Sequence, residues 1–227
     1  IPGRILSRIP VSQIFRRYTE RNARWKQVLL FTQFTCTAFI FGLLVVLFLQ
    51  YQQLLNYDLG YNVKNIVTAQ VGKSKDVVSS MIKNLPMVED ISFSLQGIGI
   101  GYSGKAVEDG ERMLFSTRYN SIDENFVPLY DIHIAQGRNI QAPGEVLVNR
   151  IYVNLMPWDG EALGKPSSNG DSSFGIVVGV IDDIVDNGLF AEKKPLVLAN
   201  VPKWNNMINV KLREPFAESL AILNETI

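Results

Sequence analysis

The 227-residue chain is poor in the side chains that form disulfides and metal sites, with one cysteine, Cys36, and one histidine, His133. A single cysteine cannot form a disulfide within the chain. A lone histidine without neighbouring cysteines does not supply the ligand set of a zinc site. We therefore expect no metal ion and no cofactor, and a folded region that depends on its apolar core.

The chain also has no net charge, with 22 basic and 22 acidic residues. The basic excess is confined to the N-terminal arm, which favours a membrane surface as its partner and argues against nucleic acid.

No charged side chain occurs between Lys26 and Asp58, and residues 28–49 are almost wholly apolar. Twenty-two helical residues rise about 33 Å, which is enough to cross a hydrocarbon core of about 30 Å. A helix at the surface of a soluble core would show a polar face, and this segment shows none. We predict one transmembrane helix that continues as a stalk to Tyr57 and stops at a C-terminal signal supplied by Gly60.

The flanks of this segment predict its orientation. Basic residues close to a span stay in the cytoplasm, and the arm before the span contains one acid, Glu20. Its basic residues are Arg4, Arg8, Arg16, Arg17, Arg21, Arg24 and Lys26. We therefore expect residues 1–26 to be cytoplasmic and residues after about 57 to lie outside the cytoplasmic membrane.

A cleaved signal peptide is the competing interpretation of the apolar segment. It would have a shorter apolar core and a small-residue cleavage site, and the sequence FLQYQQLLNYDLGY that follows has no such site. The chain begins with Ile rather than Met, which favours a fragment of a longer protein.

The arm before the span has the pattern of an amphipathic helix. Val11, Ile14, Phe15 and Tyr18 recur with helical spacing after Pro10, and the charged residues lie mainly off that stripe. This favours a helix lying on anionic lipid. It could serve only to set topology, or it could contact a cytoplasmic partner.

Beyond the stalk the sequence mixes strand and helix patterns within one region, 58–227. We expect an α+β extracytoplasmic domain with split βαβ units, which could divide into two subdomains. Predicted strands are 65–71, 88–95, 112–119, 145–148, 174–181 (expected to be the most buried), 195–201 and 207–212. Predicted helices are 74–85, 123–130 with Asp123 as its cap, 149–155 and 216–226, and residues 160–173 are expected to form a surface loop or hinge.

A glycine-rich stretch from Gly99 to Lys105 matches both G-x-G-x-x-G and G-x-x-x-x-G-K. A P-loop needs Ser or Thr next, because that hydroxyl holds Mg²⁺, and Ala106 stands there. Both motifs also need a following helix whose N-terminus faces the phosphates, whereas VEDGE reads as a turn. We expect a mobile loop here and no nucleotide.

The acidic run Asp182, Asp183 and Asp186 could form a metal or acid–base site, but a solvated strand end is the more common form of such a run. Ser/His/Asp catalysis would have to use His133, whose context favours a structural or surface role. We therefore expect no catalytic, cofactor-binding or metal-binding residue and no enzyme activity.

Several phrases, in order, resemble those of MacB/FtsX-like ABC transporter permeases of the Bacteroidetes type. They are WKQVLLFTQFTCTAFIFGLLVV before DLGY, ENFVPLYDIHIAQGRNI, VLVNRIYVNLMPW before LGK, and FGIVVGVIDDI. Three positions depart from the family pattern: Arg150 where an acid is common, Pro157 before Trp158, and Ile184 where an aromatic is usual. SRIPVSQIFR near the N-terminus resembles the end of a permease repeat, which implies that this chain starts the second half of a two-repeat permease.

The resemblance implies an inner-membrane permease subunit with a MacB-like periplasmic core domain. A separate cytoplasmic ATPase would drive it, and the span and stalk would relay movement for export or mechanotransmission. Implied partners are that ATPase, the remaining permease spans or a second protomer, the lipid bilayer, and a periplasmic partner or amphipathic substrate. The alternatives are a single-pass sensor or anchor with an extracytoplasmic ligand-binding domain, and a membrane-anchored enzyme, for which no catalytic constellation is visible.

Overall fold

The structure is a computed structural model of the chain and describes residues 23–55, 57–72, 75–99, 101–169, 173–185 and 192–226. It contains two compact units, Ile1–Tyr57 and Asp58–Ile227. The predicted amphipathic helix of the arm lies outside the described residues.

The first unit contains helix α1, Ala23–Leu55, whose 33 residues give a length of about 50 Å. The segment Arg24–Leu55 is long and apolar enough to cross a membrane, and its apolar side chains are exposed. Thr32, Thr35 and Thr37 donate their hydroxyl hydrogens to backbone carbonyls four residues earlier, at 2.8–2.9 Å. These bonds give the threonine hydroxyls the hydrogen-bond partners that lipid cannot supply.

The predicted end of the stalk is wrong in one respect, because α1 ends at Leu55 and Gly60 is not its C-terminal cap. Gly60 adopts a left-handed conformation with φ of 79°. Its N–H donates to the carboxylate of Asp58 at 2.8 Å. The glycine therefore closes a local turn in the second unit.

The second unit holds a three-stranded antiparallel sheet in the order β1-β9-β2. Its strands are β1 Ile66–Gln70, β2 Val88–Ser94 and β9 Met207–Leu212, and its helices are α2 Lys75–Ile82 and α5 Phe216–Thr226. Because β1 and β2 both run antiparallel to β9, β1-α2-β2 is a split βαβ unit with β9 inserted.

A six-stranded mixed sheet has the order β3-β4-β8-β6-β7-β5. Its strands are β3 Ser103–Asp109, β4 Arg112–Ser121, β5 Ile134–Gly137, β6 Glu145–Asn149, β7 Ile176–Ile181 and β8 Leu196–Ala199. Helices α3 Phe126–Leu129 and α4 Arg150–Leu155 lie in connections between these strands, and a 3₁₀ turn Pro202–Trp204 lies between β8 and β9. Strands β4 and β8, and β6 and β7, pair in parallel. The predicted α+β class is confirmed.

Both faces of the six-stranded sheet are covered by apolar side chains. Val146 and Val148 belong to one buried cluster, whereas Leu147 between them belongs to another. A third cluster lies on the three-stranded sheet. The most buried strand is β8 and not β7, contrary to the prediction: all four β8 residues are buried, but Ile176 of β7 is 45% exposed. The reason is position, since β8 is central and β7 neighbours the short edge strand β5.

Two predicted loops are ordered parts of the fold. The turn expected over 107–111 is confirmed at Gly110, whose φ is 63°, and Glu111, but residues 107–109 are the end of β3, which pairs with β4. In the predicted hinge 160–173, Ser168 is buried and its hydroxyl bonds both backbone groups of Glu108, at 3.0 and 3.1 Å. This part of the segment therefore packs against β3.

The predicted helix 123–130 is shorter than expected, and Asp123 does not cap it. Helix α3 begins at Phe126, after Asn125. The Asp123 carboxylate instead accepts hydrogen bonds from the Ser92 hydroxyl at 2.8 Å and the Phe93 N–H at 2.7 Å. It thereby joins α3 to strand β2 of the other sheet.

Candidate functional site

A charged cleft of about 610 Å³ lies where the chain enters the second unit. Five chain segments meet there: the entry segment 58–62, the loop before β5, the first residue of α4, the end of β7 and the stretch before β8. The lining residues are Asp58, Gly60, Tyr61, Asn62, Asp131, His133, Arg150, Asp182, Asp183 and Lys193.

Asp182 is the centre of an ionic cluster in this cleft. One carboxylate oxygen accepts from His133 Nδ1 at 2.6 Å, and the other pairs with Arg150 Nη2 at 2.7 Å. The hydrogen bond from His133, and then the charge of Arg150, hold the pKa of Asp182 below its ordinary value. Arg150 was noted above as a departure from the family pattern. Its contact with Asp182 gives an electrostatic reason for the departure, because an acid at position 150 would face the Asp182 carboxylate and repel it.

Asp183 has a different partner from its neighbour. Its carboxylate accepts from the N–H of Ile151 in the first turn of α4 at 3.1 Å, and its carbonyl accepts from Lys193 Nζ at 3.1 Å. A carboxylate at a helix N-terminus is favoured by the helix dipole. The acidic pair is thus neither a free acid–base pair nor a fully solvated strand end.

No group of three or more His, Cys, Asp or Glu residues in the described part of the chain is placed to hold a metal ion. Asp186, the third member of the predicted acidic run, lies outside the described residues.

The entry segment is tied into the fold by backbone hydrogen bonds. The N–H of Val185 donates to the Leu59 carbonyl at 2.9 Å, and the N–H of Asn62 donates to the Tyr130 carbonyl at 2.8 Å. The Asn62 side chain donates to Asp131 at 3.1 Å. The chain then continues into β1, which pairs with β9. We call residues 58–62 the joint, because they bond to the six-stranded sheet's connections just before the three-stranded sheet begins.

The joint has little room for change at Gly60. A Cβ atom at this residue would lie 3.2 Å from Cγ2 of Ile184, in a backbone conformation that disfavours side chains. The residue read from the sequence as a helix terminator is therefore required by close packing in the joint.

The pair Gly137-Arg138 of the second sequence phrase, ENFVPLYDIHIAQGRNI, forms a latch between β5 and β6. The guanidinium of Arg138 bonds both carboxylate oxygens of Glu145, at 2.9 and 2.5 Å. This contact, assisted by the N–H groups of Gln141 and Ala142, lowers the pKa of Glu145 to about 2. Gly137 and Arg138 were quoted above only within this phrase and without a role, and the phrase was the available signal.

The described part of the glycine-rich stretch lacks the geometry of a phosphate-binding motif. Its lysine, Lys105, and Ala106 lie in β3, paired with Thr117 and Ser116 of β4. A strand therefore follows the glycines, where a phosphate-binding motif needs a helix N-terminus. Ile100 within the motif lies outside the described residues.

No protein-family model matches the chain, and no curated protein matches it in sequence. Several solved structures are similar in fold, and three of them are domains or regions of larger proteins. A domain of a protein described as a permease from Porphyromonas gingivalis is 16% identical, with a TM-score of 0.45 over 70% of this chain and 80% of its own. The extracellular domain of the noncanonic ABC-type transporter YknZ from Gram-positive bacteria is 10% identical, with a TM-score of 0.49 over 71% and 94%.

The periplasmic region of MacB from Actinobacillus actinomycetemcomitans is 13% identical, with a TM-score of 0.49 over 76% of this chain and 85% of its own. The first of the three is thus described as part of a permease and the second as part of an ABC-type transporter. The similarity of this chain to these structures is one of fold.

Proposed function

We propose that this chain is part of an ABC transporter permease that relays movement from a separate cytoplasmic ATPase to an outer domain. In this proposal residues 1–26 form a cytoplasmic arm, residues 27–57 the span and stalk, and residues 58–227 the periplasmic domain. The observation that carries the proposal is the joint. In the sequence only residues 56 and 57 separate the joint from the end of α1, and within the second unit its backbone is bonded to Tyr130 and Val185.

A relay needs an element that resists bending and a connection that does not absorb the movement. The 33 residues of α1 contain no proline, and the helix is longer than a hydrocarbon core of about 30 Å requires. A flexible linker would let the outer domain reorient freely. Bonds on both sides of the joint would instead pass displacement of the helix to the ends of β7 and α3.

The orientation follows from the basic arm before the span, and labelling tests it. In a Cys36→Ala background, a cysteine at Tyr57 should react with a membrane-impermeant maleimide added to spheroplasts. A cysteine at Arg24 should react only after the membrane is made permeable. The reverse pattern would overturn the orientation.

The relay is tested by lengthening the connection in the complete permease with its ATPase. Hydrogen exchange is measured by mass spectrometry for peptides covering 58–62 and 182–185, without nucleotide and in a hydrolysis-trapped state. We expect nucleotide to change exchange in both peptides. Inserting Gly-Ser-Gly after Tyr57 should abolish that change while ATP hydrolysis continues.

The matched control places the same insertion after Gly110, in the β3–β4 turn, where a glycine Cβ would meet no atom within 4 Å. This variant should keep the nucleotide-dependent change. If the unaltered permease shows no such change, or if the insertion after Tyr57 leaves it intact, the relay is wrong.

The second candidate is a single-pass sensor or anchor whose outer domain binds a ligand. The open cleft of about 610 Å³ favours it, because clefts of this size hold small molecules. The two functions predict different triggers. A sensor would change exchange in the joint when a ligand is added outside, with no dependence on an ATPase.

A further inference from the structure

A second cleft, of about 550 Å³, lies in the outer domain between β3, β4 and the 3₁₀ turn. It is built on three aromatic rings. Tyr119 stacks on Phe174 with centroids 4.3 Å apart and planes 9° apart, and Trp204 meets Tyr119 edge-on at 5.6 Å. Tyr119 and Phe174 are buried, whereas Trp204 is 40% exposed. The Trp204 ring therefore offers apolar surface to the cleft.

Two lysines supply the charge of this cleft. Lys105 Nζ lies 4.0 Å from the centre of the Phe174 ring, and Lys203 Nζ lies 5.5 Å from that of Trp204. Among the described residues no carboxylate lines the cleft, and neither ammonium is within ion-pair distance of one. The cleft thus joins positive charge to an aromatic wall.

Lys105 occupies an unusual position for a charged residue. It lies two residues before the fully buried Val107, so the alternation of β3 places both on the same face of the strand. Burial lowers the pKa of Lys105, an effect that the charge of Glu108 opposes. An ammonium group on the core-facing side of a strand loses part of its solvation free energy, and an anionic partner would offset that loss.

Two residues that line the cleft also carry a buried polar atom without a hydrogen-bond partner among the described residues. The Tyr119 hydroxyl and the Asn206 side-chain oxygen are both buried and make no well-formed hydrogen bond to the described residues. The nearby Ser121 hydroxyl opposes the rise that burial causes in the pKa of Tyr119. That hydroxyl is already bonded to both backbone groups of Val201, at 2.9 and 3.2 Å. Buried polar groups normally have a partner.

We infer that this cleft binds a small amphipathic anion, with a flat apolar body against Trp204 and a carboxylate or similar group between Lys105 and Lys203. The volume lies within the range of about 300–1,000 Å³ typical of small-molecule sites. The site is built by contacts within the outer domain alone, so the inference does not depend on the relay function.

The other explanation for the position of Lys105 is that it protects the edge of the sheet. Strand β3 is an edge strand of the six-stranded sheet, and inward-pointing charges on edge strands discourage edge-to-edge pairing between molecules. This explanation predicts a different result for the same variant. Lys105→Met would then cause self-association, and ligand binding would not change.

The test uses the intact chain in zwitterionic nanodiscs and two probes with the same ring system, naphthylacetate and the neutral naphthylethanol. Binding is measured by calorimetry, with empty nanodiscs subtracted. The variants are Lys105→Met and Lys203→Met, which keep the apolar length of the side chain. Lys194→Met is the matched control, because this exposed lysine does not line the cleft.

We expect naphthylacetate to bind the unaltered chain more tightly than naphthylethanol. Each cleft variant should weaken naphthylacetate about five- to tenfold and leave naphthylethanol unchanged, and Lys194→Met should alter neither. Near-UV circular dichroism checks that each variant is folded. Three results would overturn the inference: no binding of naphthylacetate, equal binding of the two probes, or self-association of Lys105→Met with naphthylacetate binding unchanged.

Discussion

Asn149 is the residue whose replacement should reveal most about how the outer domain is assembled. It ends β6 and is 1% exposed. Its side-chain oxygen accepts from the N–H of Tyr152, as the N-cap of α4, at 3.1 Å, and from the N–H of Leu196 in β8 at 2.9 Å. Its NH₂ group donates to the Lys194 carbonyl at 2.9 Å. One amide therefore joins a strand, a helix and a neighbouring strand.

The expected cost of Asn149→Ala follows from the groups left without partners. Loss of a helix N-cap costs about 1 kcal/mol. The Leu196 N–H is buried, and leaving it unsatisfied costs at least about 1 kcal/mol, whereas the carbonyl of the exposed Lys194 can bind water instead. We expect the free energy of unfolding to fall by about 2 kcal/mol. Asn149→Ser can keep the cap alone, so it should lose about 1 kcal/mol.

The assay is urea unfolding of the full chain in detergent, followed by the emission of Trp158. This ring is 5% exposed and lies 5.9 Å from that of Tyr152. Trp25 and Trp204 are replaced by Phe so that Trp158 reports alone. An unchanged slope with a lower midpoint would show a true loss of stability.

The control is Asn154→Ala, which removes the same side chain from an exposed position of α4. It should be neutral or slightly stabilising, because alanine is a better helix former than asparagine. If Asn149→Ala unfolds at the same urea concentration as the unaltered chain, or if Asn154→Ala loses as much, the assignment of Asn149 as a three-way bridge is refuted.

Three further predictions concern single side chains, all measured by the same unfolding assay. Gly137→Ala should lower the free energy of unfolding by about 2–4 kcal/mol, because Gly137 has a φ of 77° and an added Cβ would lie 2.3 Å from a carbonyl oxygen of β7. Gly110 is also left-handed but faces open space, so Gly110→Ala should lower it by only about 1–2 kcal/mol. The pKa of Glu145 is lowered to about 2, chiefly by Arg138. The ionised carboxylate therefore stabilises the fold fully above the unfolded-state pKa of about 4.3. This contribution to the free energy of unfolding disappears as the pH falls toward 2. With the Arg138 side chain 47% exposed, solvent screening limits the effect to about 1 kcal/mol, and Glu145→Gln should remove the acid-dependent loss; an identical acid profile in the variant would contradict the latch. Asn209→Leu should cost about 3 kcal/mol, since its buried amide bonds tyrosine, threonine and serine hydroxyls at 3.0–3.1 Å; stability equal to that of the unaltered chain would show that this network contributes nothing.

Patterns carried by neighbouring residues were sufficient to predict much of the fold. The apolar length between Lys26 and Asp58 predicted α1, because helix formation and apolar length are local properties. Strand β9 and helix α5 have the predicted bounds, since alternation and capping signals lie within each segment. The phrases from residue 124 to 184 resemble those of a known family without indicating what their residues do.

Contacts distant in sequence could not be predicted in this way. Strand β3 was expected to be a loop because Gly, Ser and Lys favour no regular structure locally, and only pairing with β4 makes it a strand. The burial of β8 depends on its neighbours in the sheet, and Asp123 was read as a cap although its partners are on β2. In each case a local preference was weak and a tertiary contact decided.

The sequence by itself determined one apolar span, a basic arm before it and an α+β region after it, because these depend on composition and on periods of two and 3.6 residues. The tertiary structure alone decided that Arg150 faces Asp182, that Asn149 bridges to β8, and that Lys105 lies over Phe174. These partners are 32, 47 and 69 residues apart in the chain. Their contact depends on the strand order of the six-stranded sheet, which no local pattern encodes.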